Sequence, residues 1–460
     1  MLPPFDQWLS STTASDVVVA RHASDAGLAR RRKQRLADLL ATAKRGSRLY
    51  QPLLKDQDPA QVRLQDLPIM HKSDLMHRFG DWVTDPEIHL DELRSFMADR
   101  TRIGDPFLGR YVVWESSGSS GEPGIFIQDA RAMAVYDALE AIRRPPLRPL
   151  QRLIDPFFLW ERSVFVGATG GHFASTVSVE RLRRLNPVLS RNLHSVSFLQ
   201  PTDQLVAELN ALAPTILSTY PSAAVLLAEE HLAGRLHIAP QEIWTGGETL
   251  SPVMRNFVQQ TFGCPVSNSY GASEFLAMAS ECRCGMLHLN SDWVILEPVD
   301  EHGEPVPLDQ HGATTLLTNL ANHVQPLIRY DLGDSIAVQS QACKCGSRLP
   351  VIEVQGRADD TLRLGLPGAP SIRVLPLAVT TVLEDDAGLF DFQLVQQGAC
   401  DLLLRTSLCG EAGNAALQRA RQVLAAYLEQ QGVTGVSIEC RNAEPCRPER
   451  SGKIRRVIAL

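Results

Sequence analysis

A run of serine and glycine residues at 116–124 follows a short apolar segment at 111–114. Glycine lets several backbone N–H groups converge on one anion, and serine hydroxyls add donors for phosphate oxygens. The run lacks the Gly-Lys-Ser/Thr ending of a P-loop, and such a stretch alone is more often a flexible linker. It is a candidate triphosphate loop, expected between a strand and a helix. Its members are Ser116, Ser117, Gly118, Ser119, Ser120 and Gly121.

Five further motifs follow this loop in a fixed order. They are Gly-Gly-Glu at 246–248, Ser-Tyr-Gly-Ala-Ser-Glu at 269–274, Ile-Arg-Tyr-Asp-Leu-Gly-Asp at 328–334, Gly-Arg-Ala-Asp-Asp at 356–360 and Pro-Glu-Arg-Ser-Gly-Lys-Ile-Arg at 448–455. Each one alone is explained as a turn, a strand exit or a frayed terminus. The six together, in this order, indicate a nucleotide site.

The set resembles the adenylate-forming superfamily of acyl-CoA synthetases, luciferases and peptide-synthetase adenylation domains, and within it the phenylacetate-CoA ligase branch. Segment 64–75, Leu-Gln-Asp-Leu-Pro-Ile-Met-His-Lys-Ser-Asp-Leu, is similar to an early pattern of that branch. The resemblance implies an α/β protein. It would have a large N-terminal domain of layered αβ subdomains at 1–356 and a small mobile α+β C-terminal domain at 357–460.

The resemblance also implies a chemistry, in which ATP and Mg²⁺ activate a carboxylic acid to an acyl-AMP and the acyl group then passes to a thiol. The loop would hold the β- and γ-phosphates, and Lys453 would supply a mobile cation. Ser273 would contact the α-phosphate and Glu274 would ligate Mg²⁺. The remaining nucleotide contacts implied are Gly246, Gly247, Glu248 and Tyr270 around the adenine, Ser269, Gly271 and Ala272 of the same motif as Tyr270, Asp334 on the ribose hydroxyls, and Arg357 nearby. Asp359 would be the hinge between the domains.

The sequence departs from the wider superfamily in three places. Gly124 stands where many members have lysine, although the phenylacetate branch often lacks it too. Leu332 stands where threonine is common, and segment 362–370 is irregular. The acceptor therefore stays open between CoA and the phosphopantetheine arm of a carrier protein. An enzyme that stops at the adenylate, and a non-catalytic nucleotide- or zinc-binding relative, stay open as alternatives.

Two Cys-x-Cys pairs, 282/284 and 343/345, lie among these motifs, and His288 follows six residues after the first cysteine. Soft sulfur and nitrogen donors in two local clusters suit tetrahedral Zn²⁺. The predicted ligands of this structural zinc are Cys282, His288, Cys343 and Cys345, with Cys284 as the alternative to His288. Buried free thiols are the competing interpretation.

Four aromatic or imidazole side chains lie where relatives place the wall of the acyl pocket: His172, Phe173, Tyr220 and Trp244. Each has a second interpretation as ordinary core. A bulky aromatic pocket would suit an aryl or arylacetic acid.

The formal charge of −7, from 45 basic and 52 acidic residues, gives no general attraction to polyanions and excludes nucleic acid as the expected partner. No window approaches eighteen apolar residues, so we expect no membrane insertion and a cytoplasmic location. The expected partners are a small carboxylic acid and CoA or an acyl carrier protein. A homodimer stays open.

Hydrophobic periodicity predicts the elements that position these motifs. Helices are predicted at 25–44, 130–143 and 202–212, and strands at 111–114, 163–166 and 242–245. Their alternation favours α/β layering. The basic residues of helix 25–44 are expected to form a solvated face. Beyond 356 the pattern predicts strands at 392–395, 401–405 and 436–439 and a helix at 414–430.

Overall fold

A computed structural model describes residues 4–116, 123–155, 158–355, 361–365, 371–444 and 456–459. Its α-helices are Gln7–Ala20, Asp25–Gly46, Gln51–Leu54, Lys72–His77, Phe79–Trp82, Leu90–Ala98, Ala130–Arg143, Pro149–Ile154, Ala174–Leu185, Thr202–Leu212, Pro221–Leu232, Pro252–Phe262, Pro376–Thr381 and Gly410–Gln430. Single 3₁₀ turns span Leu64–Asp66, Arg100–Arg102 and Leu189–Arg191, and one π turn spans Val382–Asp386. Among the described residues, none of these helices is long and apolar enough to cross a bilayer.

A nine-stranded sheet is formed by strands between residues 163 and 355, in the part of the chain that is called the large domain below. In spatial order its strands are Ser335–Val338, Val351–Gln355, Leu287–Leu289, Phe275–Glu281, Val266–Ala272, Glu242–Gly246, Ile216–Thr219, Ser163–Gly167 and Leu193–Ser197. The last five pair in parallel, and the first five pair antiparallel. The strand Val266–Ala272 is therefore the boundary at which the parallel half meets the antiparallel half.

Smaller sheets complete the fold. Val112–Glu115 and Ile125–Gln128 form an antiparallel hairpin, and Val294–Val299, Thr314–Asn319 and Tyr330–Asp331 form a three-stranded sheet. In the C-terminal part, Leu362–Leu364 pairs with Ile372–Val374, and a four-stranded sheet runs in the order Ser437–Arg441, Asp401–Arg405, Gln393–Gln396, Val457–Ile458.

Most predicted elements are confirmed, and the α/β class with them. Helices 130–143 and 202–212 and strand 401–405 have the predicted bounds, and the other elements differ by one to four residues at their ends. The N-caps explain two helix starts, because Ser24 and Asp129 accept hydrogen bonds from the backbone N–H groups three residues on.

Two expectations were wrong. The serine–glycine run is followed by the strand Ile125–Gln128 before the helix, because four consecutive buried residues pair back onto Val112–Glu115. The basic face of helix Asp25–Gly46 is also only partly solvated. The Arg35 guanidinium lies over the Trp293 ring at 3.4 Å and donates to the Asp292 carbonyl at 2.6 Å. These contacts fix the N-terminal helix to the large domain.

Two hydrophobic clusters hold the chain together. One surrounds the hairpin, the N-terminal helices and the antiparallel half of the sheet. The other joins the parallel half of the sheet to residues 362–457, so the C-terminal part packs on the large domain through apolar side chains. Ion pairs reinforce this contact, since Arg373 pairs with Glu229 and with Glu230 of helix Pro221–Leu232. The predicted boundary at 356/357 lies outside the described residues.

Gly271 sits at a register shift between strands Val266–Ala272 and Phe275–Glu281, where the two backbones approach closely. A Cβ at this position would lie 1.9 Å from the carbonyl oxygen of Leu276. We expect Gly271→Ala to destabilise the protein by about 1 to 3 kcal/mol, because the backbone itself must move. Urea unfolding measures this.

Gly27→Ala is the matched control, since a Cβ there meets only ordinary contacts at 3.4 Å on a helix and should be neutral or slightly stabilising. Equal stability of the two variants would contradict the steric argument.

Candidate functional site

The sequence motifs that the structure describes come together at one place in the fold, the carboxyl ends of the parallel strands. Gly246 ends one strand and pairs with Ser269 of the next. In α/β sheets this edge forms the crevice that binds ligands. A cavity of about 2220 Å³ opens here. The predicted nucleotide residues that line it are Ser116, Gly246, Gly247, Glu248, Ser269, Tyr270, Gly271, Ala272, Ser273, Glu274 and Asp334.

The turn Ser273–Glu274 is held from both sides by buried side chains. The indole N–H of Trp114 donates to the Ser273 carbonyl at 2.8 Å, and Asn319 Nδ2 donates to the Glu274 carbonyl at 2.9 Å. The Ser273 hydroxyl lies 3.4 Å from the Glu115 carbonyl at the end of the hairpin strand. The turn and the start of the serine–glycine loop are therefore fixed side by side.

The Glu274 carboxylate is nearly buried, with 8% of the residue exposed. Tyr330 donates its hydroxyl to Oε1 at 2.8 Å. Burial raises the pKa of Glu274 above its usual value, while the Tyr330 hydrogen bond and the positive charge of Lys72 act in the opposite direction. A carboxylate oxygen in this place is the hard ligand that Mg²⁺ prefers.

Tyr270 and Asp334 form the next pair along the cavity. The Tyr270 hydroxyl donates to Asp334 Oδ2 at 2.7 Å, which fixes the plane of the aromatic ring. Gly247 lies close by with φ +79°, and a Cβ there would lie 2.8 Å from the Tyr220 ring. A flat ring facing bare backbone can accept a planar base, and a carboxylate can accept hydrogen bonds from two adjacent hydroxyls.

The base of the serine–glycine loop is closed by two hydrogen bonds. The Ser116 N–H donates to the Gly124 carbonyl at 2.8 Å, and the Gly124 N–H donates to the Ser116 hydroxyl at 3.0 Å. The other loop residues, Ser117, Gly118, Ser119, Ser120 and Gly121, lie outside the described residues. Arg357, Asp359 and Lys453 do so too.

The apolar end of the cavity lies between strand Ser163–Gly167 and helix Ala174–Leu185. Phe173, Tyr220 and Trp244 line it, together with Phe165, which had no sequence signal. The Tyr220 ring packs edge-on against Phe165 with centroids 6.4 Å apart. The Tyr220 hydroxyl and the Ser175 hydroxyl, 3.5 Å apart, are polar groups in this aromatic wall.

His172 was wrongly expected in that wall. It is 1% exposed and is absent from the cavity lining. Its Nε2 lies 3.3 Å from the Asp99 carbonyl, and its ring packs against Phe96 at 5.6 Å. Phe173 is extended and pairs with Glu115, so the side chains of His172 and Phe173 point to opposite sides and only that of Phe173 lines the cavity.

The Cys/His cluster assembles from two distant segments. Cys282 Sγ lies 3.7 Å from Cys343 Sγ, and Cys345 Sγ lies 3.3 Å from His288 Nε2. All four ligand atoms lie within 4.8 Å of one another, while Cys284 is exposed and outside the group. A tetrahedral zinc–thiolate site with bonds of about 2.3 Å has ligand–ligand edges of about 3.8 Å. The donor set and its spacing therefore fit zinc.

The surroundings of the cluster also suit thiolates. His288 Nδ1 lies 2.9 Å from the Leu349 carbonyl, which leaves Nε2 free to ligate. The Cys345 N–H hydrogen bond is the main cause that lowers the pKa of Cys343 to about 6. Gly285 and Gly346 follow the two pairs with φ of +79° and +87°, as the tight turns require.

Besides Phe165, the polar cavity residues Lys72, Glu115 and Tyr330 carried no functional assignment from the sequence. Tyr330 lies inside the motif at 328–334, but no pattern in the neighbouring sequence shows that its hydroxyl contacts Glu274, 56 residues away. Lys72 lies in the segment similar to the phenylacetate branch. Only that similarity could have drawn attention to it.

Carboxylates of the C-terminal part face the hairpin beside the loop. Glu384 and Asp385 approach Glu115, and Arg100 is the cation in the same group. Burial, and then the charge of Glu384, raise the pKa of Glu115 to about 7. Burial, and then the charges of Glu115 and Glu384, raise the pKa of Asp385 to about 7, although part of Asp385 keeps contact with solvent.

Comparison with known proteins shows two curated relatives, and no protein-family model matches the chain. The chain is 30% identical over 194 residues to a phenylacetate-coenzyme A ligase of Thermus thermophilus. The aligned region covers 40% of this chain and 42% of that protein. It is 29% identical over 138 residues to the protein CapK of Staphylococcus aureus, which covers 30% and 29% of the two chains. The matches span less than half the length of these relatives.

Solved structures of a 2-hydroxyisobutyryl-CoA ligase share the fold over nearly the whole chain. The form with 2-HIB-AMP and CoA in the thioesterification state has a TM-score of 0.57 at 20% identity, covering 93% of this chain and 88% of that one. An open conformation gives 0.53 at 20% identity, covering 93% and 90%. The resemblance to adenylate-forming CoA ligases is confirmed, and the chain has their fold.

We expect the Cys/His cluster to carry about one zinc per chain, because the four donors already have tetrahedral spacing. Cys345→Ser should lose the metal, and chelation of the wild type should lower its melting temperature, since binding a structural zinc contributes folding free energy. Elemental analysis and thermal unfolding measure both. Cys409→Ser, at an exposed cysteine elsewhere, is the control and should keep the metal. Metal-free protein of full stability, made with zinc supplied, would refute the site.

The contact between Glu115 and the Val382–Asp386 turn should weaken as pH rises through about 7. Both raised pKa values mean that this arrangement favours the protonated carboxyls, so its stability is present at low pH and is lost as they ionise. Hydrogen exchange of the turn, corrected for intrinsic rates, should show protection falling several-fold between pH 5.5 and 8. The charges of Glu384, Asp386 and Arg100 also act on Asp385, so they contribute to this pH dependence.

The double variant Glu115→Gln, Asp385→Asn should flatten this dependence, whereas Asp91→Asn, on an exposed helix, should leave it unchanged. A pH profile unaltered in the double variant would show that other groups control the contact.

Proposed function

We propose that this chain, which has the fold of the adenylate-forming CoA ligases, activates a carboxylic acid with ATP to an acyl-AMP, releases pyrophosphate and transfers the acyl group to the thiol of CoA. The observation that supports this proposal is that motifs distant in sequence come together in one cavity. Motifs spread from residue 116 to residue 334 line one cavity at the carboxyl ends of the parallel strands. A large pocket in which polar groups from several segments converge is the usual form of a binding or active site.

In the first half-reaction a carboxylate oxygen of the acid attacks the α-phosphorus, a P–O bond forms, and the bond to pyrophosphate breaks. Little covalent work falls to the protein, so positioning and charge stabilisation carry the rate. Ser273 is the residue for the α-phosphate, because its backbone is fixed by Trp114 beside the loop. Glu274 is the ligand for Mg²⁺, and the cation when bound neutralises phosphate charge.

The nucleoside end is oriented by Tyr270, Asp334 and the backbone of 246–248. Tyr270 cannot rotate freely while its hydroxyl donates to Asp334, so the base meets a preset surface. Glu248 is a positioning residue in this scheme. Its carboxylate accepts from the Ser222 N–H and hydroxyl, both at 2.9 Å, which ties the glycine turn to the start of helix Pro221–Leu232.

The acid would enter the apolar end, and we infer an aromatic acid as its class. Phe165, Phe173, Tyr220 and Trp244 present rings rather than a narrow aliphatic slot. Trp244 is held by a hydrogen bond from its indole N–H to Glu242 at 2.9 Å and by an edge-on contact with Phe158 at 5.9 Å. Rigid ring walls favour a flat substrate with offset or edge-on contacts.

The C-terminal part would supply Lys453 in one half-reaction, with Arg357 near the ribose and Asp359 at the hinge. The described residues that follow Lys453 in sequence are anchored to the rest of the C-terminal part. Strand Val457–Ile458 pairs in parallel with Gln393–Gln396, and Arg456 binds the Glu384 carboxylate and donates to the Phe390 carbonyl at 2.8 Å. These anchors begin three residues after Lys453.

Pyrophosphate release across a panel of aryl, arylacetic and fatty acids, each with and without CoA, tests the proposal. Acid-dependent release with thioester formation in the presence of CoA is the expected result. Thioester formed only with a phosphopantetheinylated carrier protein would change the acceptor. Adenylate without thioester would support the enzyme that stops at the first step, and no release with any acid would support the non-catalytic relative.

Glu274→Gln should lower acid-dependent ATP–pyrophosphate exchange by a factor on the order of a hundred, the size typical of one lost charge contact in a transition state. The fold should survive, because a Gln Oε1 can still accept from Tyr330. Exchange kinetics and the melting temperature are measured together. Glu301→Gln, at an exposed glutamate, is the matched control. Wild-type exchange in Glu274→Gln would remove Glu274 from the site.

A further inference from the structure

We propose that the acid bound by this site carries a hydroxyl group at the end of its ring away from the carboxylate, and that Arg144 and Glu140, on the far wall of the cavity, recognise that hydroxyl. The substrate class is then a hydroxyaryl acid. The inference rests on the proposed function for the carboxylate end of the acid, and on the contacts of the far wall for the hydroxyl end.

Strand Glu242–Gly246 gives the cavity its depth. Gly246 lies at the edge where the nucleotide motifs meet, and Trp244 and Glu242 project from the same face of the sheet, because alternate residues of a strand point the same way. All three line the cavity. The interval from Gly246 to Glu242 spans roughly 13 Å of extended strand, a depth that suits one ring with a short carboxyl arm.

The opposite wall includes a helical stripe, Tyr136, Glu140 and Arg144, whose members are four residues apart and line the cavity. The Tyr136 ring packs edge-on against Phe275, directly after the Ser273–Glu274 turn, with centroids 4.9 Å apart. The Arg144 guanidinium lies over the Trp244 ring at 4.8 Å. The lining therefore changes from aromatic near the turn to charged at depth on both walls.

The pair Glu140–Arg144 is placed to bind a hydroxyl. Arg144 Nη2 donates to Glu140 Oε2 at 2.8 Å, and the side chains are 13% exposed for Arg144 and 39% for Glu140. A guanidinium has five N–H donors and a carboxylate has several acceptor sites, so this single contact leaves capacity on both groups. A hydroxyl can accept from the first group and donate to the second.

The rest of the charged wall is occupied by its own pairs. Arg148 donates to Glu242 at 2.7 Å and to Glu161 at 2.6 Å, and the Trp244 indole donates to the second oxygen of Glu242 at 2.9 Å. Arg152 lies 3.4 Å from Glu161. Each arginine of this wall thus has a glutamate partner.

This balance of charge selects the substituent. A second carboxylate on the substrate would add a charge for which the wall holds no spare counter-charge, and a charge held away from water is costly when it is unpaired. A bare apolar end would remove water from the Glu140–Arg144 pair without replacing its hydrogen bonds. A neutral hydroxyl avoids both costs.

Phe158 holds this wall in a strained conformation. Its backbone has φ +58°, a left-handed conformation that costs free energy in a non-glycine residue. Its ring packs edge-on against Trp244 at 5.9 Å, and the Arg152 guanidinium lies over it at 3.4 Å. Phe158 therefore fixes the ring on which Arg144 lies, as a site that must hold a polar group at one distance requires.

The first test is equilibrium binding of matched acids, with a non-hydrolysable ATP analogue present. The pairs are phenylacetic and para-hydroxyphenylacetic acid, and cinnamic and para-hydroxycinnamic acid. The hydroxylated member of at least one pair should bind at least tenfold more tightly to the wild type, the size expected of one hydrogen bond to a charged group. Equal affinity within both pairs, or no binding of either member, would overturn the inference. Tighter binding of para-carboxyphenylacetic than of para-hydroxyphenylacetic acid would overturn the hydroxyl as the recognised group.

Variants test the two residues through the ratio of affinities for hydroxylated and unsubstituted acid. Arg144→Met keeps the apolar stem and removes the donors, so the ratio should fall at least tenfold, and Arg144→Lys should recover part of it. Glu140→Gln keeps the shape of its side chain and should lower the ratio several-fold. Arg94→Met, at an exposed arginine paired with Asp91, is the control and should leave the ratio unchanged. An unaltered ratio in both Arg144→Met and Glu140→Gln would overturn the assignment.

Kinetics separate this inference from the proposed function. Acid-dependent pyrophosphate release should show the same preference in kcat/KM. A wild type that releases no pyrophosphate with any acid, yet binds hydroxylated acids through Arg144, would refute the proposed function and keep the hydroxyl site. Release that favours the unsubstituted acid in both pairs would refute the hydroxyl site and keep the proposed function.

Discussion

The site depends on the turn between strands Val266–Ala272 and Phe275–Glu281, where the parallel half of the sheet gives way to the antiparallel half. A turn at this point carries Ser273 and Glu274 into the crevice that parallel strands create at their carboxyl ends. Its backbone carbonyls are occupied by Trp114 and Asn319, which arrive from the hairpin and from the three-stranded sheet. Three separate sheets therefore meet at two consecutive residues, and a shift of any one would move the others.

Burial of Glu274 creates a second constraint. A carboxylate removed from water is costly unless hydrogen bonds or charges compensate it. Tyr330 and Lys72 provide partial compensation, and the pKa of Glu274 still stays above its usual value. A cation that approaches this buried carboxylate therefore gains more than it would at an exposed carboxylate. The same strand, Tyr330–Asp331, carries the hydroxyl that donates to Glu274 and pairs with Met70, two residues before Lys72. Both groups that compensate the buried carboxylate are therefore positioned by this strand.

Structure that is set by residues near one another in sequence could be predicted, whereas contacts between distant segments could not. Apolar periodicity predicted helix Asp25–Gly46, because its buried residues Leu28, Leu39, Leu40 and Ala43 recur on one face. The Cys-x-Cys spacing led to the four donors that the structure brings together. The strand Ile125–Gln128 was missed because four buried residues beside a glycine-rich run have no period to read. His172 was assigned to the cavity wall because the sequence does not show which of two neighbouring side chains faces the cavity and which is buried in the core. The Met70–Tyr330 pairing joins segments about 260 residues apart, beyond the reach of any local pattern.

The C-terminal part adds a charge of opposite sense to that of Lys72. In the arrangement described, it brings Glu384 and Asp385 toward Glu115, beside the base of the serine–glycine loop. Carboxylates in that position repel a polyphosphate, and the repulsion grows as they ionise. Arg456 holds Glu384 in place, because its guanidinium also packs over the Phe392 ring at 4.0 Å. Under the proposed function, a pose with three carboxyl groups next to the loop is electrostatically suited to a site from which the polyphosphate has gone.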